Sequence, residues 1–266
     1  MSDSERGQVS TSAAQVYERF FVPALFAEPA SKLVNAVGVS PGQRVLDVAC
    51  GTGVLTRASA NAVGDKGSVV GLDVNSDMLS VAREQAPDID WREGNAEHLP
   101  FGDNEFDTVM SQFGLMFFED RVAALKEMAR VAKPGGMIAV AVWGTLESSP
   151  GYSAMVELIE KQCGREAADA LRAPFCLGDT RELLALFNDA GLKLARVFPI
   201  EVTARFPSLE AWVHTDIRGW TLSNMIDDAQ YERLLRAAEE KLGRFVAPNG
   251  AVAFSSPAQL VMTFTD

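Results

Sequence analysis

The sequence predicts an α/β fold with a mostly parallel sheet, and three observations carry that prediction. Between Gln43 and Trp143 short β-branched runs alternate with helix-length amphipathic stretches, the first of those runs opens into a glycine turn, and the helices carry matching start and stop residues. Strands separated by stretches of this length pair through helical crossovers, so helices cover both faces of the sheet.

The elements follow in order. RVLDVA is the first strand, with a helix from about Val54 to Val63, and SVVGLDV is the second, with a helix from about Ser76 to Gln85. A strand near IDWREG, the strand FDTVMSQF, a helix over RVAALKEMARV and the strand GMIAVAVW complete this half. Asn75 or Ser76 can cap one helix, Lys133-Pro134-Gly135-Gly136 stops another, and Gly191 ends RELLALFNDA. After Trp143 the pattern is less regular. Helices are expected at Gly151 to Gly164 and Thr180 to Ala190, then a strand-like LARVFPIEVTARF, then helical LEAWVHTDIRGW and DAQYERLLRAAEEKL. The closing QLVMTFTD alternates like a strand, which makes the helical stretch a cap inserted before the last strand.

Composition narrows the function. A chain of 266 residues can bury a large core without disulfide or metal staples. A net charge of −12 opposes binding through counterion release, so no nucleic-acid partner is expected. Cys50, Cys163 and Cys176 form no close pair, which points away from a disulfide framework or a zinc site and fits a reducing cytoplasm. The polar N-terminus has no apolar stretch of signal type, and the run Met137 to Trp143 is too short to span a bilayer. A soluble cytoplasmic protein without a membrane span is therefore expected.

The glycine turn in LDVACGTGVLT poses the functional question. A dinucleotide site wants G-x-G-x-x-G, and here Thr56 stands at the third glycine position. Asp47, four residues before Gly51, suits a cation better than a pyrophosphate. Asp73 ends the next strand, where a carboxylate can accept both ribose hydroxyls of an adenosine. The competing readings are a turn that serves only sheet-to-helix packing, and a simple helix N-terminal charge for Asp73.

LDVACGTG, GLDVNSDML, GNAEHLPFGDNEFDTVMSQFGLMFF and LKEMARVAKPGGMIAVAVW, in this order and spacing, resemble the class I S-adenosylmethionine-dependent methyltransferases, in particular the UbiE-like small-molecule branch. The resemblance covers about Tyr17 to Trp143. It implies a Rossmann-like sheet of seven strands with the last strand antiparallel, and S-adenosylmethionine as cofactor. It further implies one methyltransferase domain over residues 1–266: an N-terminal lid helix at 1–30, the cofactor core at 31–146, helices and a sixth strand at 147–204, the cap at 205–254 and the last strand at 255–266.

Carried over residue by residue, Ala49, Gly51, Thr52 and Gly53 would hold the methionine part near Asp47. Asp73 would take the ribose, Val74 and Met78 would lie against the adenine, and Asn95 and Ala96 would meet the adenine edge. Gln112 and Phe113 would reach toward the methyl acceptor, and Tyr17 and Phe20 would line the lid; ordinary packing accounts equally for Val74, Met78, Tyr17 and Phe20. Two positions depart from the family pattern, Ala49 for glycine and Asn95 for aspartate.

Methyl transfer from a sulfonium needs alignment, exclusion of water and at times a base, and no metal. Of the two histidines, His98 sits at the edge of the adenine motif and His214, in the cap, is the candidate base, against a reading as an ordinary cap residue. Trp212, Trp220, Met225, Phe206, Phe175, Phe198 and Phe245 suit an apolar or aromatic small-molecule acceptor, or equally a plain cap core. The expectation is methyl transfer to O, N or C of such a molecule, by a protein that can also form a homo-oligomer. The alternatives are another reaction on the same cofactor, a non-catalytic cofactor-binding partner protein and, last, an NAD-dependent oxidoreductase.

Overall fold

The computed structural model describes residues 11–219 and 221–265; residues 1–10 of the expected lid segment, Trp220 of the cap and Asp266 lie outside the described residues. The described chain begins with α1 (Thr11–Val16), a π-helical segment (Tyr17–Phe26) and α2 (Ala27–Val37). Pro23 accounts for the π segment. It has no N–H to donate, and in an α-turn its ring would meet the carbonyl of Arg19; in the wider turn the Ala27 N–H instead reaches the Val22 carbonyl five residues back.

The alternating half then runs β1 (Arg44–Val48), α3 (Val54–Val63), β2 (Ser68–Asp73), α4 (Ser76–Gln85), β3 (Asp90–Glu93), β4 (Phe106–Gln112), α5 (Arg121–Val131) and β5 (Ala132–Trp143). The Asn75 side chain caps α4 by accepting from the Asp77 and Met78 N–H groups, as its position before the helix predicts. Lys133 to Gly136 does end α5, but as an excursion inside β5: Ala132 pairs with Phe106 and the next paired residue, Met137, with Thr108.

The second half comprises α6 (Pro150–Cys163), α7 (Arg165–Arg172), α8 (Thr180–Asp189), β6 (Arg196–Ile200), β7 (Thr203–Phe206), α9 (Leu209–Arg218), α10 (Asp228–Leu242), β8 (Val252–Ser255) and β9 (Ala258–Phe264). The main sheet has seven strands in the order β3-β2-β1-β4-β5-β9-β6, and β9 runs antiparallel to both its neighbours. The expected α/β architecture, with an antiparallel last strand and a helical insertion before it, is what the chain adopts. LARVFPIEVTARF is two strands and not one. β6 is the sheet edge, where Pro199 is tolerated because no further strand needs its N–H, and β7 leaves the sheet to pair with β8.

β1 lies between β2 and β4, so the strand order reverses there and a crevice opens beyond the carboxyl ends of β1 and β4. Val45, Leu46 and Val48 of β1 are fully buried, which anchors the floor of that crevice in the core. No helix among the described residues is long and apolar enough to cross a membrane.

Candidate functional site

The crevice is a cavity with two chemically different ends. At one end the loop after β1 supplies Ala49, Cys50 and Gly51, the end of β2 supplies Asp73, Val74 and Asn75, and Met78 of α4 lies beside Gly94, Asn95, Ala96 and Glu97. Ala49 and Gly51 both take left-handed backbone conformations, with φ of 59° and 56°. Alanine holds this conformation only at a cost, which is a physical reason for the glycine that the resemblance leads one to expect at Ala49. Asp73 ties the loop down. Its carboxylate accepts from the Gly51 N–H at 2.8 Å and from the Asn75 N–H at 2.8 Å, which leaves further lone pairs for a ligand. Burial pushes the Asp73 carboxyl up, and these backbone donors pull it part of the way back.

Asp47 sits under the same loop, 1% exposed. Its Oδ2 accepts from the Thr56 hydroxyl at 2.6 Å, and its Oδ1 has no hydrogen-bond partner among the described residues. Burial pushes this carboxyl up to about 7, with the Thr56 hydrogen bond opposing the rise. Thr56 therefore stands at the third position of the glycine pattern as the donor to the buried acid. Gly53 has a φ of 87°, and a Cβ there would lie 2.2 Å from the Trp91 ring, so its role is to admit the indole beneath the turn. The Trp91 indole is fixed by donating to the Ala86 carbonyl at 2.8 Å.

The other end is aromatic. Tyr17 stacks on Phe26 at 5.1 Å, Phe26 lies 5.7 Å from Phe113, and Phe113 stacks on Trp143 at 3.9 Å. Phe175 and Tyr152 continue this wall, their rings 5.6 Å apart. Gln112 holds the π segment in place by donating to the Phe26 carbonyl at 3.2 Å, while its Oε1 is buried without a partner among the described residues. Asp216 of α9 closes this end. Burial pushes its carboxyl up to about 8, and the neighbouring Trp212 indole and Tyr152 hydroxyl lower it in part. Its Oδ2 and the Trp212 indole N–H are each buried without a hydrogen-bond partner among the described residues.

The charge of the lining is one-sided. Among the described residues it includes Asp47, Asp73, Glu97, Glu119 and Asp216, with no Lys, Arg or His. Such a cavity attracts a cation and repels a pyrophosphate.

Of the residues singled out in the sequence, the fold brings Tyr17, Asp47, Ala49, Gly51, Asp73, Val74, Met78, Asn95, Ala96, Gln112 and Phe113 to this cavity. It does not bring Thr52, Gly53, Phe20 or His214 to the lining. Thr52 is buried under the turn with its hydroxyl unpartnered among the described residues, and Gly53 packs on Trp91. Phe20 faces outward against His214, 6.1 Å away, because Tyr17, Phe21 and Leu25 occupy the inward side of the π segment. His214 is exposed on the outer face of α9, two residues from the inward-facing Asp216, and helix geometry puts positions two apart on different faces. The candidate base named from the sequence is therefore on the wrong side of its helix. Of the cap aromatics, Trp212, Phe206 and Phe245 form a core around Phe254, Phe198 is on the exposed edge strand, and Phe175 alone among those described lines the cavity. Trp143, Tyr152 and Asp216 also line the cavity, although no motif in the sequence marks them as site residues. An aspartate four residues after Trp212, on a buried helix side that also holds Val213, Thr215 and Ile217, was the available signal for Asp216.

Comparison with known proteins places the chain in a family. A family model described as the ubiE/COQ5 methyltransferase family matches residues 28–171. The demethylmenaquinone methyltransferase of Bacillus pumilus is 39% identical over 176 residues, covering 60% of this chain and 75% of its own. Among solved structures, Haemonchus contortus phosphoethanolamine N-methyltransferase 2 in complex with S-adenosyl-L-methionine superposes with a TM-score of 0.64 at 18% identity, over 99% of this chain and 59% of that one. A SAM-dependent methyltransferase from Aquifex aeolicus gives 0.52 at 23% identity, over 71% of this chain and 92% of that one. At these identities the structures speak for the fold.

Proposed function

The chain belongs to the ubiE/COQ5 methyltransferase family, and we propose that the acceptor of its methyl transfer is a hydroxylated aromatic ring bound at the aromatic end of the cavity. The protein is a class I S-adenosylmethionine-dependent methyltransferase acting on a small molecule. The observation that carries the acceptor reading is the wall formed by Phe26, Phe113, Trp143, Phe175 and Tyr152, with Asp216 at its end. Flat apolar faces select a ring, and one buried acid rewards a hydroxyl on it. The relatives named for demethylmenaquinone support a bicyclic quinol as the natural class.

The residues fit the cofactor. The left-handed turn Ala49 to Gly51 exposes backbone to the methionine part, and the unpartnered Asp47 Oδ1 and the anionic lining suit its positive charges. Asp73 would hold the ribose, Val74, Met78 and Ala96 the adenine faces, and Asn95 the adenine edge. The Asn95 Oδ1 already accepts from the Glu97 N–H at 2.8 Å, so it would meet the adenine amino group through its second lone pair. When bound, S-adenosylmethionine supplies an activated methyl group. The protein's part is to align the ring and keep water out, for which Tyr17 and Phe26 of the π segment form the roof.

The test is a screen of phenols, quinols and amines for acceptor-dependent release of S-adenosylhomocysteine, with mass spectrometry of the product. Turnover of naphthol-like or quinol-like rings with gain of one methyl group is expected. Turnover of amines alone would overturn the acceptor reading.

A further inference from the structure

We propose that Asp216 is the proton acceptor of the reaction and that Tyr152 positions it, so that the cap and not the cofactor core carries the base. The inference rests on the reading of the acceptor as a hydroxylated ring. Asp216 and Tyr152 both line the aromatic end, 2% and 4% exposed. The Oδ2 atom of Asp216 is buried with no partner among the described residues. An unpartnered buried carboxyl oxygen costs stability, and the cost is offset when a ligand hydroxyl meets it.

Its surroundings suit the role. The titratable side chains that share the cavity are Tyr17, Asp47, Cys50, Asp73, Glu97, Glu119 and Tyr152, and no cation among the described lining residues neutralises Asp216 permanently. On its own helix Arg218 is engaged elsewhere, with the Ile226 carbonyl and Asp228, and stacks on Tyr231. Burial therefore leaves the carboxyl with a value of about 8, where an acid and its conjugate base are both accessible near neutrality. Tyr152 comes from α6 and is itself pushed up by burial and by Asp216. It stays protonated, so it can donate and hold one face of the carboxyl toward the ring.

In the step assigned to Asp216, the carboxylate takes the proton of the acceptor hydroxyl, and the O–H electron pair remains on the acceptor. That pair, on oxygen or delocalised to the conjugated ring carbon, forms the bond to the methyl carbon as the carbon–sulfur bond breaks with its electrons going to sulfur. The products are methylated acceptor, a neutral thioether and a protonated Asp216. Where the ring carbon is methylated, Asp216 returns the first proton to the ring oxygen and the carboxylate so freed takes the proton from the methylated ring carbon as the ring rearomatises, which again leaves Asp216 protonated.

The experiment uses the full chain, with 2-naphthol and naphthalene as probes and S-adenosylhomocysteine as the check on folding. By calorimetry the wild-type protein should bind 2-naphthol roughly fivefold to tenfold more tightly than naphthalene, the margin of one hydrogen bond in a buried site. Asp216→Asn, which keeps one acceptor oxygen but cannot take a proton, should weaken that preference only in part while S-adenosylhomocysteine binds as in the wild type, and kcat on any accepted phenol should fall roughly a hundredfold or more. Tyr152→Phe, which keeps the ring, should lower kcat less and leave part of the preference. Equal preference and kcat in Asp216→Asn and wild type would overturn the assignment with the acceptor reading intact. Failure of the wild type to bind 2-naphthol at all would remove the acceptor reading and this inference with it.

Discussion

Replacing Thr56 by Val removes the hydroxyl that donates to Asp47 at 2.6 Å while keeping the shape of the side chain. A hydrogen bond to a charged group is worth about 1.5–3 kcal/mol, and here it acts on a carboxylate whose other oxygen is buried without a partner among the described residues. Without it the Asp47 carboxyl, already raised to about 7, should rise by about one to two further units. The cationic methionine end of the cofactor favours the ionised carboxylate. At pH 6 the free enzyme holds Asp47 protonated, so binding must ionise it, and the variant must do so without the Thr56 donor. Affinity for S-adenosylhomocysteine, which keeps the ammonium, should therefore fall roughly tenfold to a hundredfold at pH 6. The deficit should shrink as pH rises past the value of the wild-type carboxyl, because both free proteins then approach the ionised form. Calorimetric titrations from pH 6 to 8 measure this directly. The unliganded protein supplies an opposite-signed check. A carboxyl raised in the folded state favours folding below its unfolded value, and that contribution is lost as pH rises through about 7. Thermal melts of the free protein should fall with pH over that window, more steeply in the variant. Equal affinities at every pH would refute the placement of Asp47 beside the cation.

Three further outcomes follow from the geometry. Asp73→Asn keeps one acceptor oxygen for the Gly51 and Asn75 amides and the ribose together, so affinity for S-adenosylhomocysteine should fall roughly tenfold or more by calorimetry. Gly53→Ala combines left-handed strain with a Cβ driven into the Trp91 ring, a loss of about 2–5 kcal/mol that denaturant unfolding would register, and Trp91→Leu in the same chain should recover part of it. His214→Ala should leave kcat and both KM values unchanged, since the ring lies on the outer face of α9; a large loss of kcat would restore His214 as a catalytic candidate and contradict the observed orientation.

The end of the cavity proposed for the cofactor was legible because the residues that line it are local in sequence. A ligand held by backbone demands left-handed residues and a carboxylate within one βαβ unit, and Ala49, Gly51, Asp47 and Asp73 all fall within LDVACGTG and GLDVNSDML. The alternation of strands and helices settled the sheet for the same reason, since each βα unit announces itself over a short window. What escaped were departures from ideal geometry. Pro23 was visible, yet the π segment it imposes shifted the inward position from Phe20 to Phe21. The break between β6 and β7 was hidden because LARVFPIEVTARF keeps its alternation through a change of partner strand.

The acceptor end was illegible for a deeper physical reason. Its wall is assembled from the π segment, β4, β5, α6, the turn at Phe175 and α9, so no window of sequence contains two neighbours from different elements of the site. A pairing such as Tyr152 with Asp216 joins α6 to α9, elements separated by α7, α8, β6 and β7 along the chain. An aromatic residue in the cap is equally at home in the core, and Trp212 packs in the core while Phe175 lines the cavity, though the two look alike in sequence. The discriminating mark was polarity in the wrong place. Asp216 shares the buried face of α9 with Trp212, Val213 and Ile217, a position where a carboxyl lowers stability and persists only if something else requires it. In this chain the proposed acceptor chemistry therefore falls to an acid on the buried side of α9 and not to His214 on its exposed side.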